Sequence, residues 1–149
     1  MTFRSYMAMA AALLLSAAVF AASDMSKISY LQYRCLEGIE LTHYVFMLDE
    51  KATPWLVQVV DNNIETSPRK KATKDFVRSL QELVEQGDVF SYEREYYAEP
   101  EVCGGAKWEL EVRLQDGQAV YSSGRAVYPP KSIIEELGLL CKSFLYQRP

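Results

Sequence analysis

The chain has 149 residues and a formal net charge of −4 at pH 7, and 49% of its residues are hydrophobic. A chain of this length can bury the core of one domain without needing disulfides or a metal to stabilise it. Its acidic balance argues against nucleic-acid binding, which needs a basic surface to displace counterions, but it would attract a basic protein partner.

The first residues have the pattern of an export signal. The first seven residues hold one charge, Arg4, and the next fifteen hold none. This apolar stretch is too short to cross a bilayer comfortably, which takes about 20 residues, and it closes on Ala21-Ala22-Ser23. We predict a cleavable signal peptide over residues 1–23, cut between Ala21 and Asp24, and no stable membrane anchor afterwards. The alternative is an uncleaved anchor.

Residues 24–149 are predicted to form a single α+β domain that is periplasmic or secreted. Residues 30–36 and 39–48 are rich in aromatic and β-branched side chains, which favours two strands. Gly38 lies between them and indicates a tight turn. Residues 55–60 form a short apolar run and predict a third strand.

A helix is predicted next. The basic run Arg69-Lys70-Lys71 precedes it, and we interpret that run as a solvated helix entrance, with an interaction patch as the alternative. Gly87 follows the periodic residues and can end the helix in the left-handed conformation. The apolar residues recur at helical spacing and predict one buried stripe; they are Phe76, Val77, Leu80, Leu83 and Val84.

Three more strands follow in the pattern. Residues 89–97 are predicted as a strand. Residues 107–114 alternate strictly between apolar and polar side chains, which indicates a strand with one face on a core and the other in water. Asp116-Gly117 predicts a two-residue hairpin turn, because Asp-Gly supplies positive φ angles. The return strand then covers residues 118–123.

The chain closes with a second amphipathic helix. Pro129-Pro130 sets its entrance, and Ser132 with Glu135 fits the reciprocal capping pattern. The apolar stripe is Ile133, Ile134, Leu137, Leu140, Cys141, Phe144 and Leu145. The predicted order is β-β-β-α-β-β-β-α. This order favours an antiparallel sheet of about five or six strands with two helices packed on one face.

Three cysteines could supply one disulfide in an oxidising compartment. They are Cys35, Cys103 and Cys141, and sequence leaves all three pairings open. We predict one bridge that involves Cys103, and a buried third thiol.

No catalytic constellation is recognisable. His43 is the only histidine, and the cysteines lack close metal spacing, so we predict no metal site, no cofactor and no catalytic residues. A nucleophile pair of His43 with Cys35 or Cys141 is the alternative, but thiols on apolar stripes are inert. The sequence therefore favours a protein that is not an enzyme.

One segment combines aromatic and acidic residues. Tyrosine gives interface area at low entropy cost, and carboxylates attract a basic partner. The predicted binding residues are Tyr92, Glu93, Glu95, Tyr97 and Glu99. The alternative is an ordinary amphipathic strand with its tyrosines on the core.

A longer pattern is shared with a known type of domain. The series is Trp108-Glu109-Leu110-Glu111-Val112, Asp116-Gly117, Gly124 and Tyr128-Pro129, followed by an amphipathic helix. It resembles small exported, periplasmic domains of unassigned function that carry a W-x-L-x-V, D-G, G, Y-P pattern. The resemblance covers about a third of residues 24–149 and implies the fold and export, but no activity.

These observations favour an exported envelope binding protein, of the inhibitor or immunity type, that binds a partner protein. One alternative is a small-ligand binder in the cup of a curved sheet, lined by His43 and tyrosines. The other is an envelope hydrolase that uses carboxylates brought together by the fold.

Overall fold

A mixed seven-stranded sheet and two helices make up the computed structural model, which describes residues 25–97 and 104–148. The first half holds β1 Ile28–Glu37, β2 Glu40–Leu48, β3 Pro54–Gln58, β4 Arg69–Lys71 and α1 Lys74–Gln86. The second half holds β5 Glu95–Tyr97, β6 Lys107–Leu114, β7 Ala119–Arg125 and α2 Ile134–Tyr146. The predicted signal peptide and its cleavage site lie outside the described residues.

The order of strands across the sheet is β4-β3-β2-β1-β6-β7-β5. All neighbours are antiparallel except β5, which runs parallel to β7. The α+β class and the two helices are confirmed. The prediction of five or six antiparallel strands is wrong in its count and in the one parallel pair.

The missed strand is β4. Its three residues, Arg69-Lys70-Lys71, were expected to be a solvated helix entrance, but they pair with β3 at the edge of the sheet. A strand this short and basic has no alternation of apolar and polar residues to reveal it. Its charges also discourage pairing with another chain. The observed order is therefore β-β-β-β-α-β-β-β-α.

The strand predicted over residues 89–97 is largely absent. A 3₁₀ turn covers Val89–Ser91, and only Glu95–Tyr97 is extended. Tertiary contacts account for the difference, because the Tyr92 hydroxyl accepts a hydrogen bond from the Ile133 N–H at the start of α2. The Ser122 hydroxyl also donates to the Glu93 carbonyl, which draws the segment against β7.

Both helices bury their apolar stripes in one core. Helix α1 contributes Phe76, Leu80 and Val84, and α2 contributes Ile134, Leu137, Cys141 and Phe144. These side chains join Leu31, Phe46, Trp108, Leu110 and Val112 of the sheet in a single buried cluster. The helices therefore cover one face of the sheet.

The two predicted helix-end signals act differently from expectation. Gly87 has φ −77°, and Asp88 takes the left-handed conformation with φ 48°. A Cβ atom at Gly87 would collide with Ile133 Cγ2, so glycine is needed for the close approach of the residue that precedes α2. Ser132 does not form the predicted reciprocal cap; Ile133 occupies the N-cap, and the Ser132 hydroxyl accepts from the Ile134 N–H at 3.2 Å.

Both predicted turns join antiparallel strands. Gly38 has φ +62° in the tight turn between β1 and β2, which confirms the prediction. The hairpin at Asp116-Gly117 is also confirmed, but its turn is longer than two residues. The Leu114 N–H bonds the Gln118 carbonyl at 2.8 Å, and of the Asp-Gly pair only Gly117 has a positive φ.

The predicted disulfide is not found. Cys35 and Cys141, the two possible partners of Cys103, are both free thiols. Cys103 itself lies outside the described residues. Cys141 is fully buried in the helix–sheet core and Cys35 is half-buried, since both lie on faces that pack against apolar side chains.

Neither described helix is both long and apolar enough to cross a membrane.

Candidate functional site

The sheet has a second face, which no described helix packs against. Directly paired residues of neighbouring strands point to the same side, so the face can be followed through the register of the strands. We call it the open face. Its residues are Arg69 and Lys71 of β4; Trp55 and Val57 of β3; Leu41, His43, Val45 and Met47 of β2; Tyr30, Gln32, Arg34 and Leu36 of β1; Lys107, Glu109, Glu111 and Arg113 of β6; Ala119, Tyr121, Ser123 and Arg125 of β7; and Glu95 and Tyr97 of β5.

One part of the open face is aromatic and apolar. Trp55, Met47 and Tyr30 lie in register on β3, β2 and β1 and are each half-buried. Their long side chains flank Val45 and Val57, which are fully buried without a helix above them. The Arg113 guanidinium lies 4.8 Å from the centroid of the Tyr30 ring. This arrangement, the aromatic patch, places two aromatic rings and a methionine side by side across three strands.

A polar row crosses the open face beside this patch. Its members lie in register on five adjacent strands, in the order His43, Arg34, Glu109, Ser123 and Glu95. Arg34 and Glu109 form a salt bridge at 2.9 Å, with side chains 34% and 24% exposed. The pair is therefore partly removed from solvent, where an ion pair contributes more than at an exposed surface.

Three buried polar atoms of this row have no hydrogen-bond partner among the described residues: Arg34 Nε and both ring nitrogens of His43. His43 is 9% exposed. Burial lowers the pKa of His43, and the neighbouring Arg34 charge lowers it further, while Glu109 opposes them. Unpaired buried donors carry a desolvation cost, and a ligand group that accepts hydrogen bonds would remove it.

The protonation of His43 gives a pH prediction. Its folded-state pKa lies below the ordinary value of 6.5, so the unfolded chain binds a proton at a higher pH than the folded chain does. Stability is then fully present above pH 6.5 and is lost as the pH falls through the folded pKa. We expect the urea concentration at the midpoint of unfolding to decrease when the pH is lowered from 7 to 5. The decrease should be smaller in His43→Gln. Because the chain has no other histidine, equal slopes in the two proteins would contradict this account.

One corner of the open face is basic. Lys107 lies directly opposite Arg125, and Tyr97 pairs with Arg125 on the other side. Both cations are exposed, and neither belongs to a salt bridge among the described residues. A hollow of about 130 Å³ adjoins this corner, lined by Arg34, Leu36, Leu41, Lys107 and Glu109. Like charges directly opposite each other are unfavourable, and an anionic group between them would relieve the repulsion.

The five predicted binding residues are separated by the fold. Glu95 and Tyr97 lie on the open face, and Glu93 is exposed just before β5. Tyr92 is buried on the helix side, where it packs in the core and touches the start of α2. Glu99 lies outside the described residues. The row of His43, Arg34 and Glu109 was not singled out as a site, because only the strand register aligns them.

The Tyr92 hydroxyl gives a second prediction. It is the acceptor for the buried Ile133 N–H at 3.1 Å. We expect Tyr92→Phe to lose about 2 kcal/mol of unfolding free energy, since a buried N–H is left unsatisfied. Tyr97→Phe is the matched control, because the Tyr97 side chain is 52% exposed, and it should lose less than about 0.5 kcal/mol. Urea unfolding followed by circular dichroism measures both, and equal losses would contradict the buried role.

A polar cleft of about 500 Å³ lies on the other side of the sheet, between its end and the N-terminal half of α2. Tyr33, Cys35, Tyr44 and Tyr128 line it. Burial raises the pKa of the Tyr44 hydroxyl to about 12, and it also raises the pKa values of Tyr33 and Cys35. These groups are therefore protonated at neutral pH, and they would offer a ligand hydrogen-bond donors rather than nucleophiles.

The register also decides the alternatives that involve His43. His43 lies on the open face, whereas Cys35 pairs with Trp108 on the helix side, and Cys141 is a buried residue of α2 that packs in the core. The sheet therefore separates the imidazole from both thiols. Burial raises the pKa of Cys141 to about 12. The nucleophile pair considered from sequence is wrong, and His43 does not share a cup with Tyr33 and Tyr44.

Within residues 25–97 and 104–148 no group of three or more potential metal ligands comes together. Comparison of the chain with protein-family models and with the sequences of curated proteins finds no match.

Proposed function

We propose that this chain is an exported binding protein that engages a partner protein through the open face of its sheet. The observation that carries the proposal is a broad face of the sheet that no described helix covers and that is built from interface residue types. Tryptophan, tyrosine and arginine are the residues that most often dominate binding energy. Trp55, Tyr30 and Arg34 lie together on this face.

The dimensions of the open face suit a protein rather than a small molecule. Seven strands at about 4.8 Å spacing span roughly 30 Å. A partner covering most of that width would bury an area of the order of 800 Å² per side, which is typical of specific complexes. The edges of the sheet suit pairing with another chain less well, since β4 and β5 have only three residues each.

The positive charges on the open face favour contact with acidic residues of the partner. The negative net charge of the chain led us to expect a basic partner. At the basic corner, however, Lys107 and Arg125 make the local charge of the open face positive. Arg34 Nε and the two nitrogens of His43 add unpaired polar atoms nearby. We therefore propose that a carboxylate-rich surface of the partner meets this corner. An inhibitor or immunity-type protein would bind an enzyme in this way.

Site-specific photo-crosslinking in the host envelope tests the proposal. A benzoylphenylalanine at Tyr121 samples the open face, and one at Leu139 samples the helix side; the native side chains are 43% and 58% exposed. We expect one discrete adduct from position 121 and none from position 139. Adducts from position 139 alone, or from neither position, would overturn the proposal.

The partner identified from the adduct would then be purified and titrated against charge variants. We expect Lys107→Glu with Arg125→Glu to weaken binding at least tenfold at low salt. The double variant Lys131→Glu with Arg148→Glu makes the same change in net charge at exposed sites outside the open face. Equal weakening by both double variants would show a general charge effect and no specific face.

The polar cleft supports the small-ligand alternative. Its hydroxyl and thiol donors, with Glu37, Glu135 and Lys142 also lining it, suit a small polar ligand. A complex that survives occlusion of this cleft by Gly138→Trp would leave the open face as the binding site, whereas loss of function from that change alone would favour the alternative.

A further inference from the structure

An apolar cleft of about 620 Å³ lies between the N-terminal half of α1 and the sheet, on the helix-covered side. Its floor is formed by Ile28, Phe46, Leu48, Ala72 and Val77. Phe46 and Ile28 are core residues, and Leu48 and Val77 are half-buried beside them. A concave apolar surface of this volume is within the range that small molecules occupy.

The rim of the apolar cleft is basic. Lys27, Lys71, Lys74 and Arg78 line it and are exposed, against one lining acid, Glu82. Among the described residues the three lysines form no salt bridge, and Arg78 reaches only the exposed Asp75, at 3.6 Å. In a chain with a net charge of −4, this excess of cations around one apolar floor is a local reversal.

One wall of the cleft is pinned by side-chain hydrogen bonds. Gln81 of α1 accepts from the Ile28 N–H at 3.1 Å and donates to the Ser26 carbonyl at 3.1 Å. The Gln115 N–H donates to the Lys27 carbonyl at 2.8 Å from the turn after β6. The segment that carries Lys27 and Ile28 is therefore fixed from both sides.

The opposite wall is the loop between β2 and β3, which Asp49 holds in shape. Its carboxylate accepts from the Lys51 N–H at 2.8 Å and from the Thr53 N–H at 2.9 Å. The backbone hydrogen bond from Thr53 is the largest cause of the lowered pKa of Asp49. Ala52 and Pro54 of this segment line the cleft. Both walls are thus organised before any ligand arrives, which lowers the cost of binding.

We propose that the apolar cleft binds a single-chain amphiphile with an anionic head, such as a free fatty acid. The hydrocarbon chain would lie on the apolar floor, and the carboxylate would lie among Lys27, Lys74 and Arg78. The N-terminus of α1, which begins at Lys74, adds positive partial charge at the same mouth. The site is on the opposite side of the sheet from the open face and does not depend on the proposed partner.

The probe is laurate, kept below its critical micelle concentration and titrated into the purified chain by calorimetry. We expect the dissociation constant to fall roughly fourfold for each added methylene from octanoate to laurate, as apolar burial requires. Dodecylammonium has the same tail with a cationic head and should bind at least tenfold more weakly. Nuclear Overhauser contacts should join the laurate methylenes to the methyl groups of Leu48 and Val77.

Variants distinguish laurate binding at this cleft from a general effect of the protein's net charge. Lys74→Glu with Arg78→Glu should weaken laurate binding more than tenfold, while Lys131→Glu with Arg148→Glu, an equal charge change at exposed sites away from the cleft, should leave it unchanged. Val77→Trp fills the cleft without removing a cation and should abolish binding. Circular dichroism checks that each variant is folded.

Four outcomes would overturn the proposal. Equal affinity for laurate and dodecylammonium would show a site with no preference for anions, and equal weakening by the two double variants would show no site. Binding to phosphatidylglycerol vesicles but not to monomeric laurate would indicate a membrane surface. The fourth outcome is failure of laurate to bind while Val77 shows contacts to a second copy or to residues 8–22 of the chain; that result would mean that a protein segment, and not an amphiphile, occupies the cleft.

Discussion

Gly124→Val is expected to lose about 4 kcal/mol of unfolding free energy, a large part of the stability of a domain of this size. A Cβ atom at this position would lie 2.6 Å from both Cε2 and Nε1 of Trp108. The indole is fully buried, and its Nε1–H donates to the Val127 carbonyl at 2.9 Å. The ring cannot move without losing that bond and its packing on Tyr128, whose centroid is 6.2 Å away.

Gly38→Asn is the matched control for this prediction. Nothing lies within 4 Å of a Cβ at Gly38, and asparagine tolerates its φ of +62°. We expect a loss below about 1 kcal/mol there. Urea unfolding followed by circular dichroism measures both variants, and a Gly124→Val protein as stable as Gly38→Asn would show that the contact with Trp108 is unimportant.

Phe144→Ala is expected to lose about 4 kcal/mol, because it removes a buried aromatic ring that joins three elements. The Phe144 ring stacks on Phe76 of α1 with 4.3 Å between centroids. Lys70 of β4 lies 4.5 Å from the same centroid, and its ammonium donates to the Phe144 carbonyl at 2.8 Å. The substitution therefore loosens α2 from both α1 and the edge strand.

Two further variants apportion this loss. Lys70→Met removes the cation but keeps the length of the side chain, and it should lose about 1 kcal/mol. Leu145→Ala truncates the next residue of α2, which is only partly buried, and it should lose clearly less than Phe144→Ala. A loss in Lys70→Met as large as that in Phe144→Ala would make the ammonium contact, and not the ring, the main anchor.

The proposed function and the proposed amphiphile site lie on different sides of one sheet. The open face joins an aromatic patch, a polar row with unpaired buried atoms and a basic corner, which together suit a protein surface with carboxylates. The apolar cleft joins a hydrocarbon-like floor to a cationic rim, which suits a small amphiphile. Lys71 is the residue common to both, since it pairs with Trp55 and also lines the cleft, and none of the variants proposed for either site changes it. Failure of one test therefore leaves the other proposal standing.

Local pattern determined the elements whose signal is repeated over several residues. The alternation in β6 repeats over eight residues, and the apolar stripes of α1 and α2 repeat over two helical turns or more. These patterns therefore predicted the right elements at nearly the right bounds. The short strands β4 and β5 have three residues each, which is too few for a period to show. The sheet therefore gained an edge strand and a parallel pair that sequence did not predict.

The role of individual residues depended more on tertiary contacts. Tyr92 and Tyr97 were both predicted to be binding residues. In the structure the Tyr92 hydroxyl accepts from a buried N–H, whereas Tyr97 lies on the open face. Gly87 looked like a left-handed helix end, but it is required by the packing of Ile133. In each case the role depends on a contact with a residue that is distant in the sequence, and a local sequence pattern does not reveal such a contact.

The sequence by itself determined the α+β class, the two amphipathic helices, the hairpin and the apolar side chains that form the core, because burial and backbone conformation leave periodic marks along the chain. The tertiary structure decided which side chains meet. Strand register aligned His43, Arg34 and Glu109 across three strands and separated His43 from both described thiols. The packing of α1 on the sheet gathered cations from three segments around the apolar cleft. These groupings depend on pairing between distant segments, and the chain order alone does not fix that pairing.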